Sequence, residues 1–306
     1  MNKKFLLSLG SIVAITLTGC KEKDYGEFTY NDSFVVIRDT LVEGQNQKAH
    51  VVFLFGQSNA DGVSSNAYLE INAKETYDAY ENGYDNVFIN FINDGGNNSS
   101  YLGFQKCALG CGCSPDYFGP EMGIAQKMSK AYPNELTFIV KYTWGGTILK
   151  NQWLDDNGGR GMLYNSSMDL SLKCLYYLTS KGYDWKIDGI CWMQGESDTY
   201  SSRPRRYYND TVDYVGLMRH DFKSYQDEIR FIDAGIYEDG GIWKDAAKFN
   251  NSKKKFAAKS NLNVYIDPNK LELTTQNEPV GAVDYAHYDA TSMVRLGRAF
   301  GEEVAK

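Results

Sequence analysis

Histidine is scarce in this 306-residue chain: only His50, His220 and His287 occur, so any chemistry that needs an imidazole has three places to be. Cations are also in deficit. Lys and Arg number 32 against 39 Asp and Glu, and the net charge of −7 argues against a nucleic-acid partner, because phosphate binding wants clustered basic groups. Only six prolines occur, without a Gly-x-y period, which excludes a collagen-like chain. Apart from the first twenty residues there is no long apolar run, so a polytopic membrane protein is excluded too. Hydrophobic residues at 42% and charged residues at 23% are ordinary for a globular fold and too rich in core formers for disorder. What the chain has in abundance is aromatic: 14% overall, with 23 tyrosines, a composition suited to polar grooves such as sugar sites and equally to core filling.

The N-terminus reads as an address. Met1-Asn2-Lys3-Lys4 is followed by a nearly uninterrupted apolar run from Phe5 to Leu17, too short for a stable spanning helix and right for a signal peptide. Its end, Leu17-Thr18-Gly19-Cys20, resembles the lipobox of bacterial lipoproteins. The resemblance implies cleavage before Cys20, a lipid on that cysteine, and an exported protein anchored to the bacterial envelope, in the outer membrane and facing the periplasm or the surface. Residues 1–19 are then the signal peptide, 20–45 the lipidated cysteine and tether, and 46–306 the functional domain. Losing Lys3 and Lys4 takes the formal charge to −9, so the lipid would be the only membrane attachment.

Five further cysteines remain. Cys174 falls in a helical pattern and Cys191 in an apolar strand, which reads as burial. Cys107, Cys111 and Cys113 sit in a Gly-rich stretch whose spacing matches no common zinc signature and has no histidine nearby. The expectation is one local disulfide involving Cys107, with one thiol of the trio left over and no metal.

From His50 onward, strand-length apolar runs alternate with helical patterns. Strands are expected at 51–55, 87–92, 136–142, 187–193, 229–234 and 264–266. Helices are expected at 120–132, 162–179, 207–222, 243–260 and 290–304. This alternation predicts a single three-layer α/β/α domain around a mainly parallel, doubly wound sheet. In such sheets reactive groups collect beyond the carboxyl ends of strands. Three such ends carry polar, Gly-containing turns: Gly56-Gln57-Ser58-Asn59, Trp144-Gly145-Gly146-Thr147 and Gln194-Gly195-Glu196-Ser197-Asp198. Just before the last helix stand Asp284-Tyr285-Ala286-His287. Each motif alone is a turn or a cap. Together they offer a hydroxyl, an amide-rich loop, a side-chain amide and a base with an orienting acid, the parts needed for acyl transfer.

These motifs, with Phe118-Gly119-Pro120-Glu121-Met122-Gly123, occur in the order found in the SGNH hydrolase superfamily. More closely the chain resembles the branch of sialate O-acetylesterases and acetylxylan-esterase-like carbohydrate acetylesterases, over about residues 50–300. The resemblance implies a flavodoxin-like sheet and a carbohydrate O-acetylesterase. It implies Ser58 as nucleophile, His287 as general base, Asp284 as its orienting acid, and an oxyanion hole from Ser58 N–H, Gly146 N–H and the Gln194 amide. Glu196 would back the loop or His287. No metal, organic cofactor or protein partner is implied; the partner is an acetylated glycan, of xylan type or bearing O-acetylated sialic acid. A non-catalytic glycan-binding lipoprotein and a lipase or thioesterase for longer acyl chains are the rival readings. Substrate walls built from loops are expected at 62–84, 94–118, 150–161 and 201–206. Trp144, Trp153 and Tyr200 are candidates for stacking on a sugar, or for packing; Arg203, Arg205 and Arg206 read as surface charge at a helix start, with a sialate carboxylate as the alternative partner.

Overall fold

The computed structural model describes residues 24–28, 36–239, 241–275 and 284–306. The expected signal peptide and Cys20 lie outside the described residues. The elements, in order, are β1 (Lys48–Gly56), α1 (Ser58–Asp61), β2 (Ser64–Ser65), α2 (Asn66–Asn72), α3 (Lys74–Asn82), β3 (Val87–Asn93), β4 (Asn98–Ser99), β5 (Gln105–Lys106) and β6 (Tyr117–Phe118). Then come α4 (Glu121–Ala131), β7 (Leu136–Thr143), α5 (Met162–Ser180), β8 (Asp184–Met193), α6 (Asp198–Ser201) and α7 (Pro204–Phe222). The series closes with β9 (Phe231–Ala234), α8 (Ala246–Ala257), β10 (Asn263–Ile266) and α9 (Ala290–Val304).

The central sheet runs β10-β9-β8-β1-β7-β3, all parallel, with β4 and β5 pairing antiparallel to the outer strand β3. With β3 set aside, strands β1, β7, β8, β9 and β10 lie in the flavodoxin-like order 2-1-3-4-5. The expected fold class holds: this is a three-layer α/β/α architecture. Val51 to Phe55 of β1 are completely buried, as the continuous apolar run requires of a central parallel strand. One face is covered by α5, α7 and α8, the other by α4 and α9. Helices α4 and α9 approach so closely that a Cβ at Gly123 would overlap the carbonyl of Gly297, which is why both are glycine. That contact seats the helix that directly follows His287.

One expectation needs correction here. Segment 62–84, expected as loop, forms α2 and α3 after β2, with the Ser65 hydroxyl capping α2 through the Tyr68 N–H at 3.2 Å. The described parts of the 20–45 tether are docked on the domain. Arg160 donates to the carbonyls of Tyr25 and Gly26 at 2.9 Å, and the Tyr177 hydroxyl accepts from the N–H groups of Thr40 and Leu41 at 3.0 Å. Side chains from α5 and its flank, distant in sequence, hold these parts in place.

Candidate active site

Strand register assembles the site. Gly56 of β1 pairs with Thr143 of β7 and with Met193 of β8, and Thr143 pairs with Asn93 of β3. Four strands therefore end level, and the turns after them share one edge. Strand β1 sits where the chain order reverses, the switch point at which such sheets bind ligands. Gly56 adopts φ +146°, and a Cβ there would lie 2.0 Å from the Met193 carbonyl oxygen, so only glycine lets the chain leave β1 this close to β8.

Ser58 opens α1 and is half-exposed, whereas Asn59, Ala60 and Asp61 behind it are buried. Gly145 faces it: a Cβ built on that glycine would sit 3.7 Å from the Ser58 Cβ. The 144–147 loop is held from two sides. Asp94, in the turn after β3, accepts from the Gly145 N–H at 2.5 Å, and the Trp144 N–H donates to the Gly56 carbonyl at 3.0 Å. Gly146 faces open space.

On the other side, His287 Nδ1 lies 2.6 Å from Asp284 Oδ2, and Asp284 Oδ1 accepts from the Ala286 N–H at 2.8 Å. Donation from Nδ1 to the carboxylate leaves Nε2 with its lone pair free. Burial pushes the Asp284 carboxyl up, but the bonds from His287 and Ala286 outweigh it and hold the group below the ordinary carboxylate value. The pair is tied to Ser58 by Asn59. Its Oδ1 accepts from the Tyr288 N–H at 3.1 Å, and its Nδ2 donates to the Ala286 carbonyl at 3.3 Å and to Glu196 Oε1 at 2.9 Å. The residue after Ser58 thus grips the chain on both sides of His287. Ser64 adds a 2.7 Å bond from its hydroxyl to the Tyr288 carbonyl.

Gln194 does not meet expectation. Its side chain is fully buried, and its amide nitrogen donates to Asp198 Oδ2 at 2.6 Å and to the Thr147 carbonyl at 3.0 Å. Both amide hydrogens are spent, so Gln194 staples the 144–147 loop to the end of β8 and has no donor for an oxyanion. Asp198, pushed up to about 6 by burial against the bonds from Gln194 and the Leu149 N–H, completes the staple. Glu196 is buried beneath Asn59 and backs the Ser58–His287 link through it, not His287 itself. Gln57 Oε1 accepts from the Gly195 N–H at 3.2 Å and fixes the same turn.

Trp153 is fully buried, stacked edge-on against Trp192 with ring centroids 4.9 Å apart, and its indole N–H donates to Thr147. It is a core residue under the loop and no wall of the site. Trp144, half-buried, rests on Gly95, and Tyr200 is exposed beside Trp243, so both remain at the surface. No disulfide forms among the described residues. Cys107 packs on Met122 Sδ at 3.9 Å and Cys111 reaches the Ala108 carbonyl at 3.3 Å, while Cys113 is also a free thiol. Burial pushes Cys111 up to about 12 and Cys113 up to about 11, so both stay protonated. Among the described residues no group of three or more His, Cys, Asp or Glu side chains could hold a metal ion.

Sequence reasoning gave no role to Asn59, although it lies in the serine turn, and passed over Asp94. Asn93-Asp94-Gly95-Gly96 is a fourth polar, Gly-rich turn directly after a strand, the same signal that singled out the other three.

A flavodoxin-like parallel sheet with polar loops gathered over its switch point defines the class of protein: a doubly wound α/β/α fold with its candidate site at the carboxyl edge of the sheet. A family model described as carbohydrate esterase, sialic acid-specific acetylesterase, matches residues 48–306, and the chain belongs to that family of carboxylic ester hydrolases. Among solved structures it is similar to a protein from Arabidopsis thaliana (TM-score 0.58, 18% identity, 83% of this chain and 97% of that one). It is similar also to NanS (0.57, 15%, 85% and 97%) and to a carbohydrate acetylesterase from Xanthomonas citri (0.55, 13%, 85% and 54%). At these identities the likeness speaks to the fold. No curated protein matches the sequence significantly.

Proposed function

We propose that this carbohydrate acetylesterase works through a serine nucleophile and releases acetate from O-acetylated glycans, of xylan type or bearing O-acetylated sialic acid. The reading rests above all on Asn59, which links the turn of Ser58 to both flanks of a His287 already oriented by Asp284 at 2.6 Å. His287 Nε2 takes the Ser58 proton as the hydroxyl oxygen attacks the acetyl carbonyl. The N–H groups of Ser58 and Gly146 receive the resulting oxyanion; that of Gly145 is engaged by Asp94. The tetrahedral intermediate collapses, the C–O bond to the sugar breaks, and His287 hands its proton to the departing alkoxide. Water, deprotonated by His287, then attacks the acetyl-serine, releasing acetate and restoring the hydroxyl. Trp144 and Tyr200 are the aromatic surfaces offered to the sugar.

Attachment of the exported protein to the envelope through lipidated Cys20 belongs to the same proposal. The test is acetate release from acetylated xylan, O-acetylated sialosides and acetylated pectin by the wild-type protein and Ser58→Ala. Release by the wild-type protein from at least one glycan, abolished in the variant, is expected; equal release by both would refute the serine mechanism.

A further inference from the structure

A protein with a net charge of −7 would be expected to spread its cations thinly. Helices α7 and α8 instead enclose a groove of about 1130 Å³ lined by Arg205, Lys248, Lys254, Lys255 and Lys259, with no carboxylate in its lining. Lys248 is paired with Asp245 at 2.7 Å and Lys254 with Asp267 at 3.2 Å. Arg205, Lys255 and Lys259 are exposed and have no carboxylate partner among the described residues. Tyr208, Asn209 and Asn251 place an aromatic ring and neutral amides between the charges. We propose that this groove binds an anionic glycan, a polymer whose sugars carry carboxylates, and holds it while its acetyl groups are removed.

The groove is placed for that task. Helix α7 follows the turn after β8 and α8 follows β9, so both start at the sheet edge that carries Ser58. At that upper end stand the exposed Tyr200 and its neighbour Trp243, with ring centroids 6.0 Å apart. Tyr200 and Trp243 lie in the segments that lead into α7 and α8, and the groove lining begins with Pro204 and Arg205 at the start of α7. The groove's chemistry favours a sparse polyanion. From Lys248 to Lys259 it runs roughly 16 Å at helical rise, over which duplex DNA would present about nine charges to three unpaired cations. A glycan with one carboxylate per sugar presents far fewer, and its hydroxyls suit the interleaved amides. The placement argument rests on the esterase reading, but binding does not require turnover.

The experiment titrates a non-acetylated oligogalacturonate into the full chain in a Ser58→Ala background, so that failure of the serine mechanism leaves the result unaffected. Binding that weakens with added salt is expected, and Arg205→Glu/Lys255→Glu/Lys259→Glu should weaken it at least tenfold. Lys255→Glu/Lys259→Glu in the otherwise wild-type protein should leave hydrolysis of a small aryl acetate unchanged and show an unaltered thermal transition. The proposal is overturned if the triple variant binds oligogalacturonate as well as its parent. It is equally overturned if a neutral xylo-oligosaccharide binds as tightly, or if duplex DNA or anionic vesicles occupy the groove while oligogalacturonate does not bind.

Discussion

The carboxyl of Asp61, one turn behind Ser58, is 1% exposed, and hydrogen-bond counting says what state it is in. Asn93 spends its amide hydrogens on the carbonyls of Cys111 and Gly112, so its Oδ1 must accept, and the Thr143 hydroxyl lies 2.8 Å away. Thr143 has one hydrogen. Its 2.7 Å contact with Asp61 Oδ1 is then satisfied if Asp61 is protonated and donates to it. Burial pushes this carboxyl up to about 7, helped by the neighbouring Asp94 and opposed by the Lys141 ammonium and Thr143.

The group's folded value lies above its unfolded value of 3.8, so the folded state holds the proton more tightly. Its contribution to stability is complete below about pH 4 and lost as the pH rises through about 7. The loss amounts to at most about 4 kcal/mol over that window, from about 1.4 kcal/mol per pKa unit. Asp61→Asn keeps the shape, supplies a permanent donor to Thr143 and removes the titration. Urea unfolding of both proteins across pH 4 to 9 isolates the effect, because titrating groups that do not interact with Asp61 cancel in the difference. The variant should gain on the wild type from pH 4 to 7 and hold a constant advantage above about 8. A pH-independent difference, or a wild type more stable than the variant at pH 8, would refute the protonated-carboxyl account.

Two further outcomes follow from the loop supports. Asp94→Ala removes the acceptor that holds the Gly145 N–H and should lower kcat roughly 10- to 100-fold with a much smaller change in KM, since a hydrogen bond to a charged group contributes about 1.5–3 kcal/mol; Asp94→Asn, which retains an acceptor oxygen, should recover most of it in steady-state assays. Gln194→Ala strips a donor from buried Asp198 and opens a void, so it should cost about 2–4 kcal/mol in thermal or urea unfolding, while activity at a permissive temperature falls by less than the 10²–10³ of a lost oxyanion donor. Unchanged stability with a 10²–10³ activity loss would return Gln194 to the oxyanion hole.

The parallel strands were legible because burial on both faces writes a continuous apolar run, as in Val51–Phe55, and the strand-end turns were legible because they break that run with glycine and polar residues. The short helices α2 and α3 were not: their apolar faces are thin, with Leu69 and Tyr80 the buried residues in each. Within the site, residue types were readable but directions were not. An amide after a strand can point outward to a substrate or inward to a staple, and what turned Gln194 inward are Asp198, four residues on, and Thr147, on another strand end. For Trp153 stacking and packing both stayed open for a similar reason: its aromatic partners, Tyr142, Trp192 and Tyr214, come from β7, β8 and α7. Likewise three neighbouring cysteines suggested a crosslink, but two of the thiols fill separate niches, Cys107 against Met122 and Cys111 against Ala108.

The central claim, that Ser58 is the nucleophile, is tested most directly by peptide mapping after treatment with a serine-directed fluorophosphonate. A single adduct on Ser58, formed in step with loss of esterase activity and absent from the folded His287→Ala variant, is the predicted result. An adduct on any other serine, or full inactivation with Ser58 unmodified, would contradict it.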